Sequence, residues 1–108
     1  MLRQIHPADV KAKLDAGEPV VLLDVRQPEE YALCRIAGSK LIPLGELPQR
    51  AGELDIPDGA TVVVYCHHGM RSLNGAMFLA QAGVPNVVSM AGGIEAWSTQ
   101  VDPSVPRY

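Results

Sequence analysis

The chain has 108 residues, a formal net charge of -3, 47% hydrophobic and 19% charged residues. That is the length of one ordinary domain, able to bury roughly two-thirds of the surface its unfolded chain exposes, so neither disulfide nor metal staples are needed. The composition excludes a disordered chain, and the acidic balance argues against nucleic acid as a main partner.

The first residues contain no apolar signal core, and no apolar run approaches membrane-spanning length. With two cysteines, Cys34 and Cys66, nothing suggests a disulfide framework. The sequence therefore predicts a soluble cytoplasmic protein with reduced thiols and no membrane partner. No internal repeat or low-complexity stretch is present.

Taken in chain order, His6-Pro7-Ala8-Asp9 opens a helix to about Ala16, with Val10 and Leu14 one turn apart and Gly17 as its stop. Val20-Val21-Leu22-Leu23 is a continuous apolar run that fits a strand buried on both faces. Pro28 to Leu33 reads as a short helix, Lys40-Leu41-Ile42 as a short strand, and Glu46 to Leu54 as a helix with Pro48 in its first turn. Thr61 to Tyr65 is the clearest strand. Ser72 to Gln81 is the clearest helix, with Leu73, Ala76, Met77 and Ala80 at helical spacing. Val87 to Met90 is another buried strand, Gly92-Gly93 turns the chain into a helix from Ile94 to Ser98, and an extended tail follows from Val101 to Tyr108. Strands alternating with helices predict an α/β fold, a parallel sheet covered on both faces. Ligands of such sheets bind beyond the C-terminal ends of the strands, here Asp24 to Arg26, Cys66 to Ser72 and Ala91 to Gly93.

Cys66 ends the best strand, and His67, His68, Gly69, Met70, Arg71 and Ser72 lead into the best helix. Loop amides and a helix N-terminus aim donors at one spot and favour negative charge there, whether a bound anion or a thiolate. A cysteine so placed is a nucleophile. Gly69 permits the tight turn, while Arg71 and the histidines add positive charge. The bland alternative is an inert buried thiol that merely ends a strand.

Three segments together resemble the signatures of rhodanese domains: Asp24-Val25-Arg26-Gln27-Pro28-Glu29-Glu30-Tyr31, Val64 to Ser72, and Ala91-Gly92-Gly93-Ile94-Glu95-Ala96-Trp97. The resemblance implies a single domain over 1–108, with a core of about 5–97 and a tail of 99–108. It implies a rhodanese-like, five-stranded parallel sheet with helices on both faces. Cys66 would be the catalytic residue. It would take a sulfane sulfur from thiosulfate or a protein persulfide and pass it to cyanide or a protein thiol. His67, His68, Gly69, Met70, Arg71 and Ser72 would form the binding loop, with Asp24 and Arg26 as support. The tail is similar to the ends of rhodanese domains fused to sulfur-activating enzymes of cofactor synthesis. The chain departs from the family at Cys34-Arg35, where glycine and histidine are usual before Ile36-Ala37-Gly38.

Other readings stand beside this one. Adjacent ligands such as Cys66, His67 and His68 rarely converge on one tetrahedral ion, so no metal is expected, and no cofactor is implied. Asp24 and Arg26 alternate along an extended segment and read first as a structural ion pair. Glu29 and Glu30 suit a helix N-terminus. Trp97 reads as a core anchor. Two functional alternatives remain: a sulfur-carrier module that works only beside a partner enzyme, and a cysteine phosphatase. Against the latter, four residues separate Cys66 from Arg71, whereas cysteine phosphatases place five before their arginine.

Overall fold

The computed structural model describes residues 3–108. Five strands form one parallel sheet: β1 (Arg3–Ile5), β2 (Val20–Asp24), β3 (Lys40–Leu41), β4 (Thr61–Tyr65) and β5 (Val87–Met90), in the spatial order β1-β5-β4-β2-β3. The helices between them are α1 (Pro7–Asp15), α2 (Pro28–Leu33), α3 (Leu47–Arg50), α4 (Met70–Gln81) and α5 (Gly93–Gln100). The predicted five-stranded parallel α/β architecture is the observed one.

Side chains alternate across each strand and so divide the core into two layers. Leu22, Val63, Tyr65, Val88 and Met90 face one side, with Val10 of α1 and Ile94 and Trp97 of α5. Leu23, Val62, Val64 and Val87 face the other, with Leu47 of α3 and Ala76 and Leu79 of α4. Trp97 is the core anchor its sequence context suggests. Both faces of the central strands are dry, which is why they read as unbroken apolar runs.

Three differences from the sequence pattern have physical causes. β1 has only three residues, too few to show a period, and it takes the edge beside β5. The predicted helix from Glu46 to Leu54 is instead a 3-10 turn over Leu44–Glu46, the four-residue α3, and a second 3-10 turn over Ala51–Glu53. Pro48 and Gly52 interrupt it. In α4 the buried face is Ser72, Gly75, Ala76 and Leu79, while Met77 is 47% exposed. Gly75 on this face packs against the side chains of Val25, Val64 and Leu44. In α1, Val10 is fully buried but Leu14 is exposed.

Beyond β2, Asp24 and Arg26 are both fully buried and form the predicted ion pair. Arg26 donates from Nε to Asp24 Oδ1 at 2.9 Å and from Nη2 to Oδ2 at 2.6 Å. Its Nη2 also donates to the Cys34 carbonyl at 2.6 Å, which ties the end of α2 to the end of β2. Burial opposes the guanidinium charge, but the hydrogen bonds to Asp24 and Tyr108 outweigh it and raise the arginine pKa. A buried pair is costly to break from one side, because the remaining charge is left uncompensated. Arg26→Ala should therefore lose about 3 kcal/mol or more of unfolding free energy in urea titration. A loss under about 1 kcal/mol, the range of exposed pairs, would show that Asp24 is solvated.

Candidate active site

Parallel strand order brings the ends of β2, β4 and β5 together, with Cys66 at the centre. The Val25 N–H donates to the Tyr65 carbonyl at 3.1 Å, extending the ladder to the foot of the loop. The chain then turns through Cys66 to Gly69, and α4 begins at Met70. Gly69 is the N-cap with φ of +111°, a left-handed conformation that side chains rarely adopt.

This turn closes over the sulfur. The Gly69 N–H donates to Cys66 Sγ at 3.0 Å and the Ser72 N–H donates to it at 3.3 Å. The Cys66 thiol faces the Ser72 hydroxyl at 3.6 Å. Cys66 is 1% exposed, so these donors act where water screens them little. The first turn of α4 thus aims at the sulfur, as the strand-loop-helix pattern predicts.

The loop is held from behind by α5. The Ile94 N–H donates to the Cys66 carbonyl at 2.8 Å and the Glu95 N–H to the His67 carbonyl at 3.1 Å. Such an approach requires glycine at position 93, since a Cβ there would fall on both carbonyl oxygens. The close approach expected of Gly92-Gly93 is therefore direct backbone contact with the Cys66 loop.

The charged groups are arranged less simply. Arg71 lies in the first turn of α4 and grips Glu30 bidentately, Nη1 to Oε1 at 2.6 Å and Nη2 to Oε2 at 2.8 Å. Glu30 also accepts from the Gln27 N–H at 3.0 Å and from the Tyr108 hydroxyl at 2.7 Å. The hydrogen bonds from Arg71 lead in holding Glu30 down to about 2, with burial opposing them. The loop's permanent cation is therefore already paired. Glu30 had read only as an acid at a helix N-terminus; its partner is 41 residues away.

Tyr108 is the other residue the sequence did not reveal. Val105 is buried and the Ser98 hydroxyl donates to its carbonyl at 2.6 Å, so the tail turns back rather than running extended. The Tyr108 hydroxyl accepts from Arg26 Nη1 at 2.9 Å, and its ring stacks on His67 with centroids 3.9 Å apart. Burial raises its pKa to about 12, with the Arg26 hydrogen bond opposing. Arg107 pairs with Glu95 at 2.6 Å.

His67 is half-buried and His68 is exposed. Burial lowers the His67 pKa and His68 lowers it further, with Glu30 and Glu95 opposing. Among the described residues, its Nε2 is buried without a hydrogen-bond partner. His67, His68 and Glu95 bring one ligand atom each within 4.8 Å of one another. The two imidazoles are stacked, however, with ring planes 22° apart, so their lone pairs lie in nearly parallel planes rather than converging from different directions. Glu95 is also occupied by Arg107. The arrangement does not form a tetrahedral centre. Met70 is 73% exposed and points no chemistry at the sulfur. Cys34 packs in the layer with Tyr65 and Trp97, while Cys66 packs in the layer with Val64 and Leu79, on the opposite face of the sheet.

The fold and site define a parallel α/β domain in which a cysteine follows the central strand and two backbone N–H groups, from Gly69 and from Ser72 in the first turn of α4, converge on its sulfur. More narrowly, the chain belongs to the rhodanese-like domain family, whose model matches residues 6–100. It is 35% identical over 104 residues to the Mycobacterium tuberculosis protein named "Probable adenylyltransferase/sulfurtransferase MoeZ", covering 96% of this chain and 26% of that protein. The chain thus spans about a quarter of the length of that relative. A protein of Allochromatium vinosum named "Sulfurtransferase" is 35% identical over 98 residues, 91% of this chain and 90% of its own. The crystal structure of a rhodanese-related protein of Thermoplasma volcanium superposes with a TM-score of 0.82 at 35% identity, covering 98% of this chain and 99% of that one. Among the described residues, no helix is long and apolar enough to cross a membrane.

The Glu30 bonds have a pH signature. A carboxyl held near 2 when folded, against 4.5 ordinarily, contributes stability above about 4.5 that is lost as pH falls toward 2. Urea unfolding of the native chain should weaken through that window more steeply than that of Glu30→Gln. Parallel pH profiles for the two would show that Glu30 is not held by Arg71 in solution.

Proposed function

We propose that the domain transfers sulfane sulfur through a persulfide on Cys66. The observation that carries this reading is the pair of N–H groups on Cys66 Sγ, from Gly69 and Ser72. A small anionic donor such as thiosulfate fits the chemistry. The Cys66 thiolate attacks the outer sulfur, the sulfur–sulfur bond breaks, and sulfite leaves with the electron pair. The persulfide then carries its charge on the terminal sulfur. A thiophilic acceptor, cyanide or a protein thiol, attacks that sulfur and restores the thiolate. The loop of His67, His68, Gly69, Met70, Arg71 and Ser72 surrounds the reacting group. The amides stabilise it, the Arg71–Glu30 pair lines the loop's edge, and the Asp24–Arg26 pair supports the strand end beneath.

The family and the Allochromatium vinosum relative support the reaction class. Loop length supports sulfur over phosphate. Arg71 follows Cys66 after four residues and its planar fork is engaged with Glu30, so neither its place nor its donors suit a bidentate grip on phosphate. Cys34 has no part in the reaction, since it lies across the sheet from Cys66.

Intact-mass measurement after thiosulfate treatment tests this directly. The native chain and Cys34→Ala should each gain one sulfur atom and lose it to cyanide, and Cys66→Ser should gain none. Aryl phosphate hydrolysis should stay at background. Loading without cyanide turnover would mark a carrier module dependent on a partner. Transfer retained by Cys66→Ser, or Cys66-dependent phosphate release without loading, would overturn the proposal.

A further inference from the structure

Beneath the Cys66 loop, on β5, lies a hydroxyl that the reaction as described does not use. Ser89 is 1% exposed, and its Oγ is 2.7 Å from Ser72 Oγ. We infer that Ser89 is a positioning residue for the Cys66 sulfur: its hydroxyl donates to Ser72 and thereby readies the Ser72 hydroxyl to donate to the sulfur when the sulfur becomes charged.

Counting donors and acceptors fixes the direction. Among the described residues, Ser72 Oγ is the partner of the Ser89 side chain. If Ser72 donated to Ser89, the Ser89 proton would be buried without an acceptor, which is costly. With Ser89 donating, every group is satisfied. The Cys66 thiol donates to Ser72 Oγ at 3.6 Å, and Ser72 donates its own proton to the Gly69 carbonyl at 3.0 Å.

Loss of the Cys66 proton changes one link. Ser72 Oγ loses the donor it had from the thiol, and its proton can turn from the Gly69 carbonyl to the sulfur. That carbonyl is not orphaned, because the Leu73 N–H also donates to it at 3.2 Å. Ser72 still accepts from Ser89, and a hydroxyl that accepts a hydrogen bond is a stronger donor. The sulfur then has a third donor beside the amides of Gly69 and Ser72. Because both hydroxyls are buried, water cannot replace Ser89 cheaply. The inference rests on Cys66 being the reactive thiol.

The test is the pH dependence of Cys66 alkylation by iodoacetamide, read by peptide mass with no sulfur donor present. Native, Ser89→Ala, Ser72→Ala and the double variant are compared, with thermal melts to verify folding. Ser89→Ala should move the midpoint upward by about half a pH unit, a roughly threefold loss of thiolate below it. Ser72→Ala should move it at least as far, and adding Ser89→Ala to that variant should move it no further. An unmoved midpoint in Ser89→Ala overturns the inference. So does an equal shift in both backgrounds, which would mean that Ser89 acts through packing alone. Sulfur loading does not enter this measurement, so its failure leaves the persulfide proposal standing, and failed loading leaves the alkylation cycle interpretable.

Discussion

Two backbone N–H groups, from Gly69 and Ser72, meet at the sulfur of Cys66. Bringing them there requires a strand that stops at Tyr65, a left-handed turn at Gly69, and a helix that starts at Met70. A short turn of this kind is not rigid by itself. Its carbonyls would be free to seek water and its amides to drift from the sulfur. The N-terminus of α5 removes that freedom by donating to the carbonyls of Cys66 and His67, so donors and acceptors of the loop are fixed on opposite sides. Glycine at position 93 follows from the same need, since a Cβ there would fall on the Cys66 and His67 carbonyls.

Charge around the loop is balanced rather than simply positive. A continuous chain of contacts runs from Asp24 to Arg26, to the Tyr108 hydroxyl, to Glu30, and to Arg71 beside the sulfur. Each cation in it faces an acid or a phenol oxygen. The consequence is that the donors on the Cys66 sulfur are backbone dipoles, while Arg71 is engaged by Glu30. Dipoles of that kind are already oriented before any charge forms, and they need no rearrangement when it does. The tail takes part in this balance through Tyr108, so its return across the sheet end is tied to the site.

Much of this was legible from the residues. The apolar runs from Val20 and Thr61 announced buried parallel strands, and a cysteine between a strand and a helix announced the amide cradle. Gly92-Gly93 announced a close approach, and the Asp24–Arg26 pair followed from alternation along an extended segment. The missing parts are those that depend on tertiary distance. The three residues of β1 are too few for a period, and Pro48 and Gly52 broke a segment that read as one helix. Glu30 and Arg71 are far apart in the chain, and nothing local marks either as the other's partner. The side chain of Tyr108 gains meaning only from the turn that Val105 anchors. Ser89 is hidden in an otherwise apolar strand, where a small polar residue reads as a weak spot rather than as a partner for Ser72.

The central claim is that the amides of the Cys66 loop hold a charged sulfur. A crystal structure of the thiosulfate-treated protein tests it most directly. The account predicts one added sulfur bonded to Cys66 Sγ at about 2.05 Å, with loop N–H groups within hydrogen-bond reach of it. An unmodified Cys66 in crystals whose protein mass shows the added sulfur would place the chemistry elsewhere and contradict the account.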